Sequence, residues 1–218
     1  MASNTGALTQ VNRLSEKDPS VLRTLMESIA DGALPQSQAL EQQISLRLLD
    51  AGEAVFMQGV VHPQLYAVRK GLIKLCYLGD DGSEWIKSFV PEGRFFASIT
   101  ALEPGGRTSF MATALEASVL ERVDHGVLLD LATRHLPWSQ SLRQLAMALA
   151  ARKEQHEFEL LALTPAQRYL AFVAANPDLE KRIPQKDLAR HLGVTPVGLN
   201  RIVMRMRPKV PPPLAEGR

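Results

Sequence analysis

The residue types best suited to recognition chemistry cluster near the C-terminal end, in Ile183-Pro184-Gln185-Lys186-Asp187-Leu188-Ala189-Arg190-His191-Leu192-Gly193-Val194-Thr195-Pro196-Val197-Gly198-Leu199-Asn200-Arg201-Ile202-Val203-Met204. An arginine can take a guanine edge with two parallel hydrogen bonds, an asparagine suits adenine, and a valine methyl packs on a thymine methyl. Thr195, Val197, Gly198, Asn200, Arg201 and Arg205 lie on or near one side of a helix that Thr195 caps and that Pro196 opens. Such a helix must be held from behind. Leu188, Ala189 and Leu192 supply the inner face of a preceding helix, with Ala189 small enough for a close crossing, and Gly193 supplies a positive φ at the turn. Val194 is predicted buried, and Leu199 and Ile202 fasten the second helix. The spacing is that of a helix-turn-helix, whose free face reads DNA.

The charge distribution agrees with a polyanion partner. The net charge of +2 over 218 residues divides into +6 for Thr164–Arg218, with ten basic and four acidic residues, and −4 for residues 1–163. Thr164 and Pro165 give a second capped helix start at the head of this basic module. Ahead of it, Pro137 to Leu163 can run as one helix without internal proline or glycine. Along that helix Trp138, Leu142, Leu145 and Leu149 recur at helical spacing, and the line continues to Arg152 and His156. The line is either a core-facing stripe or a self-association seam; a helix between two modules, with little core of its own to cover, favours the seam. His156 on it is a candidate for a pH-sensitive interface group.

From Leu46 to about Val123 the texture is short β-rich runs punctuated by glycine. Leu65–Val68, Leu72–Leu78 and Glu84–Val90 read as strands, and Gly79-Asp80-Asp81-Gly82 as the hairpin turn between the last two. Many short strands at even spacing imply a small barrel or sandwich. Residues 1–45 hold two short apolar-periodic stretches, Val21–Ile29 and Leu40–Ile44, and read as two short helices.

Taken together, Gly52-Glu53-Ala54-Val55-Phe56, Tyr66-Ala67-Val68-Arg69-Lys70-Gly71-Leu72-Ile73-Lys74-Leu75, Gly82, Pro91-Glu92-Gly93-Arg94-Phe95-Phe96 and the helix-turn-helix resemble the Crp/Fnr family of bacterial transcription regulators, which are similar to the catabolite activator protein. The resemblance implies an α+β chain in three parts. Residues 1–136 would hold N-terminal helices and a cyclic-nucleotide-binding-type β-roll, or jelly roll. Residues 137–163 would be the dimerisation helix, with Trp138, Leu142, Leu145, Leu149 and His156 at its interface, and residues 164–218 the DNA-binding domain. The implied function is a homodimeric regulator on a palindromic site, with double-stranded DNA and RNA polymerase as partners. Arg201 matches the family's second base-contacting arginine, while Pro196 and Val197 replace an arginine and a glutamate, so the target sequence should differ from that of the catabolite activator.

The effector pattern departs further. In cyclic-AMP-binding members a short helix in the roll opens with Gly-Glu, whose carboxylate holds the ribose, and Arg-Ser or Arg-Thr holds the cyclic phosphate. Here Arg107-Thr108 matches the phosphate pair, Arg94 stands where the acid belongs, after Gly93, and Ala151 and Arg152 fall where the base-contacting hydroxyl pair is expected. Effector contacts are therefore assigned to Arg94, Arg107, Thr108 and Arg152, with cyclic AMP, another anion or no small molecule as the open alternatives. The segment after the recognition helix, Pro208-Lys209-Val210-Pro211-Pro212-Pro213, cannot form the hairpin wing common in the family, and Arg205, Arg207 and Lys209 are candidates to grip phosphates instead.

Other classes are excluded or weakened. One cysteine, Cys76 in a predicted strand, leaves neither an internal disulfide nor a four-cysteine cluster, and His62, His125, His135, His156 and His191 lack ligand spacing, so no metal is assigned. Nucleophile elbow, Walker loop and paired-carboxylate signatures are missing, and an enzyme is not expected. No apolar run of about 18 residues or secretory signal occurs, which points to a cytoplasmic protein without a membrane span. The rival reading is a ligand-binding sensor that acts through protein partners and keeps only a degenerate DNA-reading head.

Overall fold

The structure is a computed structural model and describes residues 19–206. The chain divides into two compact units between Gln155 and His156. In the first unit, α1 (Val21–Ala30) and α2 (Ser37–Gln43) precede β1 (Ser45–Leu49), β2 (Ala54–Phe56), β3 (Gln64–Lys70), β4 (Ile73–Leu78), β5 (Glu84–Val90) and β6 (Phe95–Phe96). The short α3 (Ile99–Leu102), β7 (Met111–Ala114), β8 (Ser118–Asp124) and α4 (His125–Arg134) follow, and α5 (Leu136–Ala162) runs across the division.

The eight strands make two antiparallel sheets, ordered β1-β8-β3-β6 and β2-β7-β4-β5, the predicted β-roll. The Gly79–Gly82 turn closes β4 onto β5 as expected: Gly79 N–H donates to Ser83 O at 2.9 Å, Gly82 N–H donates to Gly79 O at 2.9 Å, and Gly82 takes φ +78°. Cys76 is a fully buried thiol inside β4.

Strand side chains alternate between two interiors. On β3, Tyr66 and Val68 enter the roll with Ile73, Leu75, Phe96, Phe110 and Leu120, whereas Leu65 and Ala67 point to the other face, under the helices. That second core joins Leu22, Met26, Leu34, Leu40, Phe95, Val123, Leu128 and Leu131 to Trp138 and Leu145 of α5. Burying such a set removes most of its apolar surface from water, at about 1.5–3 kcal/mol per large side chain.

Glu121, fully buried on the helix side of β8, fixes α1 to this sheet. Its carboxylate accepts from the Ser20 hydroxyl at 2.8 Å and from the Val21 and Leu22 N–H groups at 2.8 and 2.7 Å, and it pairs with Arg69 Nε at 2.5 Å. These backbone donors belong to the first turn of α1, where no intrahelical acceptor exists.

The long helix corrects one expectation. Trp138 and Leu145 are core residues and Leu142 and Leu149 pack against the same core, so their apolar line is used within the chain's own first unit. The physical reason is that the sheet leaves a trough of Leu65, Ala67, Phe95 and Val123 that α5 covers; the helix has a core of its own after all. The Trp138 indole N–H also donates to Pro35 O at 2.6 Å, pinning the start of α5 to the loop between α1 and α2. Facing away from this core, Gln140, Gln144, Met147, Ala151 and Glu154 are exposed.

The second unit holds α6 (Pro165–Ala175), α7 (Gln185–His191) and α8 (Pro196–Met206). Thr164 caps α6 in a reciprocal box with Gln167, and Pro165 occupies the first turn. Tyr169 is buried and its hydroxyl donates to Glu180 Oε1 at 2.5 Å, joining α6 to the segment before α7.

Candidate functional site

In the second unit the predicted two-helix arrangement is present. Leu188, Ala189 and Leu192 are buried, Gly193 takes φ +66°, and Val194 N–H returns to Ala189 O at 3.0 Å, which sets the turn between α7 and α8. Val194 is half-buried rather than buried. The Thr195 hydroxyl accepts from Gly198 N–H at 3.1 Å and caps α8. Leu199 is buried at 1 % exposure and Ile202 is half-buried, so this face of α8 is committed to the unit.

The opposite face is free. Thr195, Val197, Asn200, Arg201 and Arg205 are exposed, Val197 to 63 %, while Gly198 is half-buried. A row of one arginine, one asparagine and one valine on an exposed helix, with Arg205 one turn later, offers donors, acceptors and an apolar contact to base edges. His156 is stacked on His191 at 4.6 Å, and Phe172 meets His191 edge-on. Arg207 and the proline run, including Lys209, lie outside the described residues.

The first unit contains a second candidate, between the roll and α5. A cavity of about 70 Å³ is lined by Leu75, Lys87, Ser88, Val90, Phe95, Phe96, Ala97, Leu149, Arg152 and Lys153. Of the four residues assigned to an effector, Arg152 lines it; Arg107 and Thr108 do not. The Thr108 hydroxyl donates to Met57 O at 2.6 Å and accepts from Val60 N–H at 3.1 Å, and the Arg107 guanidinium donates to Gly59 O at 2.9 Å. Both side chains are engaged in fastening the loop after β2.

Arg94 also needs correcting. The short helix α3 opens at Ser98, so the position of the family's acid falls to Ser98, whereas Arg94 is exposed in the turn before β6. Ser98 accepts from Ser109 N–H at 3.0 Å and lies within 3.1 Å of the Thr100 hydroxyl. It offers no carboxylate to a ribose. Arg94 still contributes charge: with burial, it lowers the affinity of Arg152 for its proton.

Sequence reasoning missed Lys87 and Lys153. Lys87 is half-buried with its ammonium 5.1 Å from the Phe110 ring centre, and Arg152 lies 4.8 Å over Phe95. Burial first, then the charges of Lys153 and Arg152, push the Lys87 pKa below that of an ordinary lysine. None of the lining residues is acidic. The cavity falls well short of the roughly 300–1,000 Å³ of ordinary ligand pockets. The small cavity and the serine at position 98 depart from the cyclic-AMP pattern.

Among the described residues, no group of three or more His, Cys, Asp or Glu side chains could hold a metal ion, and no helix is long and apolar enough to cross a membrane.

Residues 46–135 match the cyclic nucleotide-binding domain family. The nitrogen fixation regulation protein FixK of Rhizobium meliloti (strain 1021) is 24 % identical over 163 residues, covering 72 % of each chain. Among solved structures, FixK2 from Bradyrhizobium japonicum superposes with a TM-score of 0.67 at 18 % identity, over 74 % of this chain and 83 % of that one. The c-di-GMP-responsive global regulator CLP of Xanthomonas campestris gives a TM-score of 0.59 at 17 % identity, over 75 % of this chain and 86 % of that one.

Proposed function

We infer from these likenesses, which point to a transcription regulator of the Crp/Fnr family, that the chain binds a palindromic DNA site as a homodimer in the cytoplasm and acts there on RNA polymerase. The observation that carries the reading is the division of α8 into a buried face, Leu199 and Ile202, and an exposed one, Val197, Asn200, Arg201 and Arg205. Arg201 takes a guanine, Asn200 an adenine and Val197 a thymine methyl, while Thr195 and Arg205 bond the backbone at either end of the helix and Gly198 lets it approach closely. A palindrome follows from two copies, with half-sites about 34 Å apart.

The second copy pairs along the outward stripe of α5 that includes Gln140, Gln144, Met147, Ala151 and Glu154, at alternating helical spacing on the face away from the roll. Met147, 61 % exposed, is its apolar anchor. The β-roll is the regulatory part.

Selection of bound duplexes from a random pool at fixed salt, followed by Arg201→Ala on the selected site, tests the reading. A palindrome is enriched, and the substitution weakens its binding by about 1–3 kcal/mol while relaxing the preference at one base pair. No enrichment, or equal binding by Arg201→Ala, would overturn DNA reading by α8 and leave the rival sensor acting through protein partners.

A further inference from the structure

We propose that the cavity between the β-roll and α5 is a site for a compact oxyanion of the phosphate type, held by Lys87 of β5 together with Arg152 and Lys153 of α5. The inference rests on reading the roll as the regulatory part of a DNA-binding protein only for its consequence, since binding itself needs no DNA.

Three cationic side chains meet around one cavity of about 70 Å³, and the lining supplies no carboxylate to balance them. Lys87 is half-buried and Arg152 and Lys153 are exposed on α5; like charges gathered at such a rim repel one another, and an anion placed among them reverses the sign of that interaction. The cation–ring contacts of Lys87 with Phe110 and of Arg152 with Phe95 offset part of the cost without neutralising either charge. Lys87 and Arg152 are shifted toward the neutral form by burial first and then by neighbouring cations, consistent with a cavity lining that holds no carboxylate. Ser88 adds a hydroxyl to the lining.

The volume sets the size class. A cavity this small admits a tetrahedral oxyanion or a single phosphate group, whereas a nucleoside cyclic phosphate needs several times the space. The positions also set a consequence. Lys87 is on the roll and Arg152 and Lys153 are on the long helix, so one anion bridges the sheet to α5. Binding therefore tightens the docking of α5 on the roll, which is how occupancy would reach the dimer stripe on the same helix.

The test uses the full chain and inorganic phosphate, against sodium chloride at matched ionic strength, with cyclic AMP as a separate arm. Phosphate raises the melting temperature saturably, and titration calorimetry gives a one-to-one stoichiometry per chain. Lys87→Met and Lys153→Gln each weaken phosphate at least tenfold, whereas Arg107→Ala leaves it unchanged. Lys153→Gln, on the solvent-exposed part of α5, serves if Lys87→Met does not fold. A phosphate shift no larger than that of chloride, or one retained by the variants, would overturn the site. So would cyclic AMP binding that depends on Arg107. Each of these results leaves the Arg201 experiment untouched, so loss of the anion site and loss of the DNA-reading role are separately visible.

Discussion

Glu121→Gln perturbs a buried polar junction with four donors in the first unit while leaving shape nearly unchanged. The carboxylate serves four donors: Oε1 takes Val21 N–H at 2.8 Å and Arg69 Nε at 2.5 Å, and Oε2 takes Ser20 Oγ at 2.8 Å and Leu22 N–H at 2.7 Å. An amide has one oxygen and one NH2. With the NH2 on the Oε2 side, the Ser20 hydroxyl can rotate and accept, but Leu22 N–H faces a donor and loses its partner. Orphaning that buried N–H costs about 1–3 kcal/mol, and replacing charge-assisted bonds to Arg69 and Val21 by neutral ones costs roughly 1 kcal/mol more. With the amide flipped, Val21 N–H and Arg69 both lose acceptors, which is worse. A loss of about 3 kcal/mol lowers Tm by about 6–12 °C for a unit of this size. Calorimetric melts of wild type, Glu121→Gln, Arg69→Met and the double variant measure it. The double variant should cost less than the two single changes added, because the Arg69 contact is lost only once. A Tm within about 2 °C of wild type, or strict additivity, would refute the account of this junction.

Two glycines with positive φ should behave differently. Gly71→Ala sets a Cβ 2.1 Å from Ser118 Oγ and 2.8 Å from Ser118 Cα at φ +98°, so strain and overpacking together cost about 3 kcal/mol or more; Gly193→Ala, at φ +66° with nothing nearer than 3.5 Å, costs about 1 kcal/mol, and urea midpoints separate them. Lys87 should leave a signature in the pH dependence of stability. Its folded pKa is lowered, chiefly by burial, so the unfolded chain holds more protons in the alkaline window up to the ordinary lysine value; the penalty of burying the charge is full below that window and disappears as pH rises through it. Without added anion, Lys87→Met is thus expected to be more stable than wild type near neutrality, with the gap narrowing toward alkaline pH in melts run across the range.

What could be read directly from the residues was whatever neighbours in sequence decide. The Gly79–Gly82 turn, the Thr164 cap and the Gly193 turn each rest on a backbone preference of a few adjacent residues, and all three form as expected. The line from Trp138 to Leu149 has the right helical period, but a core stripe and a dimer seam share that period, and only the trough in the distant sheet decides between them. Arg94 was displaced from its expected role because Ala97-Ser98 opens α3 without the Gly-Glu that would have marked it. Arg107 and Thr108 satisfied a pattern of residue types, but hydrogen bonds to the loop after β2 set their direction. Lys87 carried no signal, since a lysine in a strand usually faces water. Its surroundings come from Phe110 and from α5, far along the chain.

The alternation along β3 has a mechanical corollary. With Tyr66 and Val68 in one interior and Leu65 and Ala67 in the other, a single ply of backbone is the common wall of both. Neither chamber can swell without moving that wall into the other, so the roll and its helical cladding should melt as one cooperative block. A displacement of the wall by a fraction of an ångström is shared at once by residues that never touch each other. Such a shared wall couples the packing of the two cores without a relay of side chains.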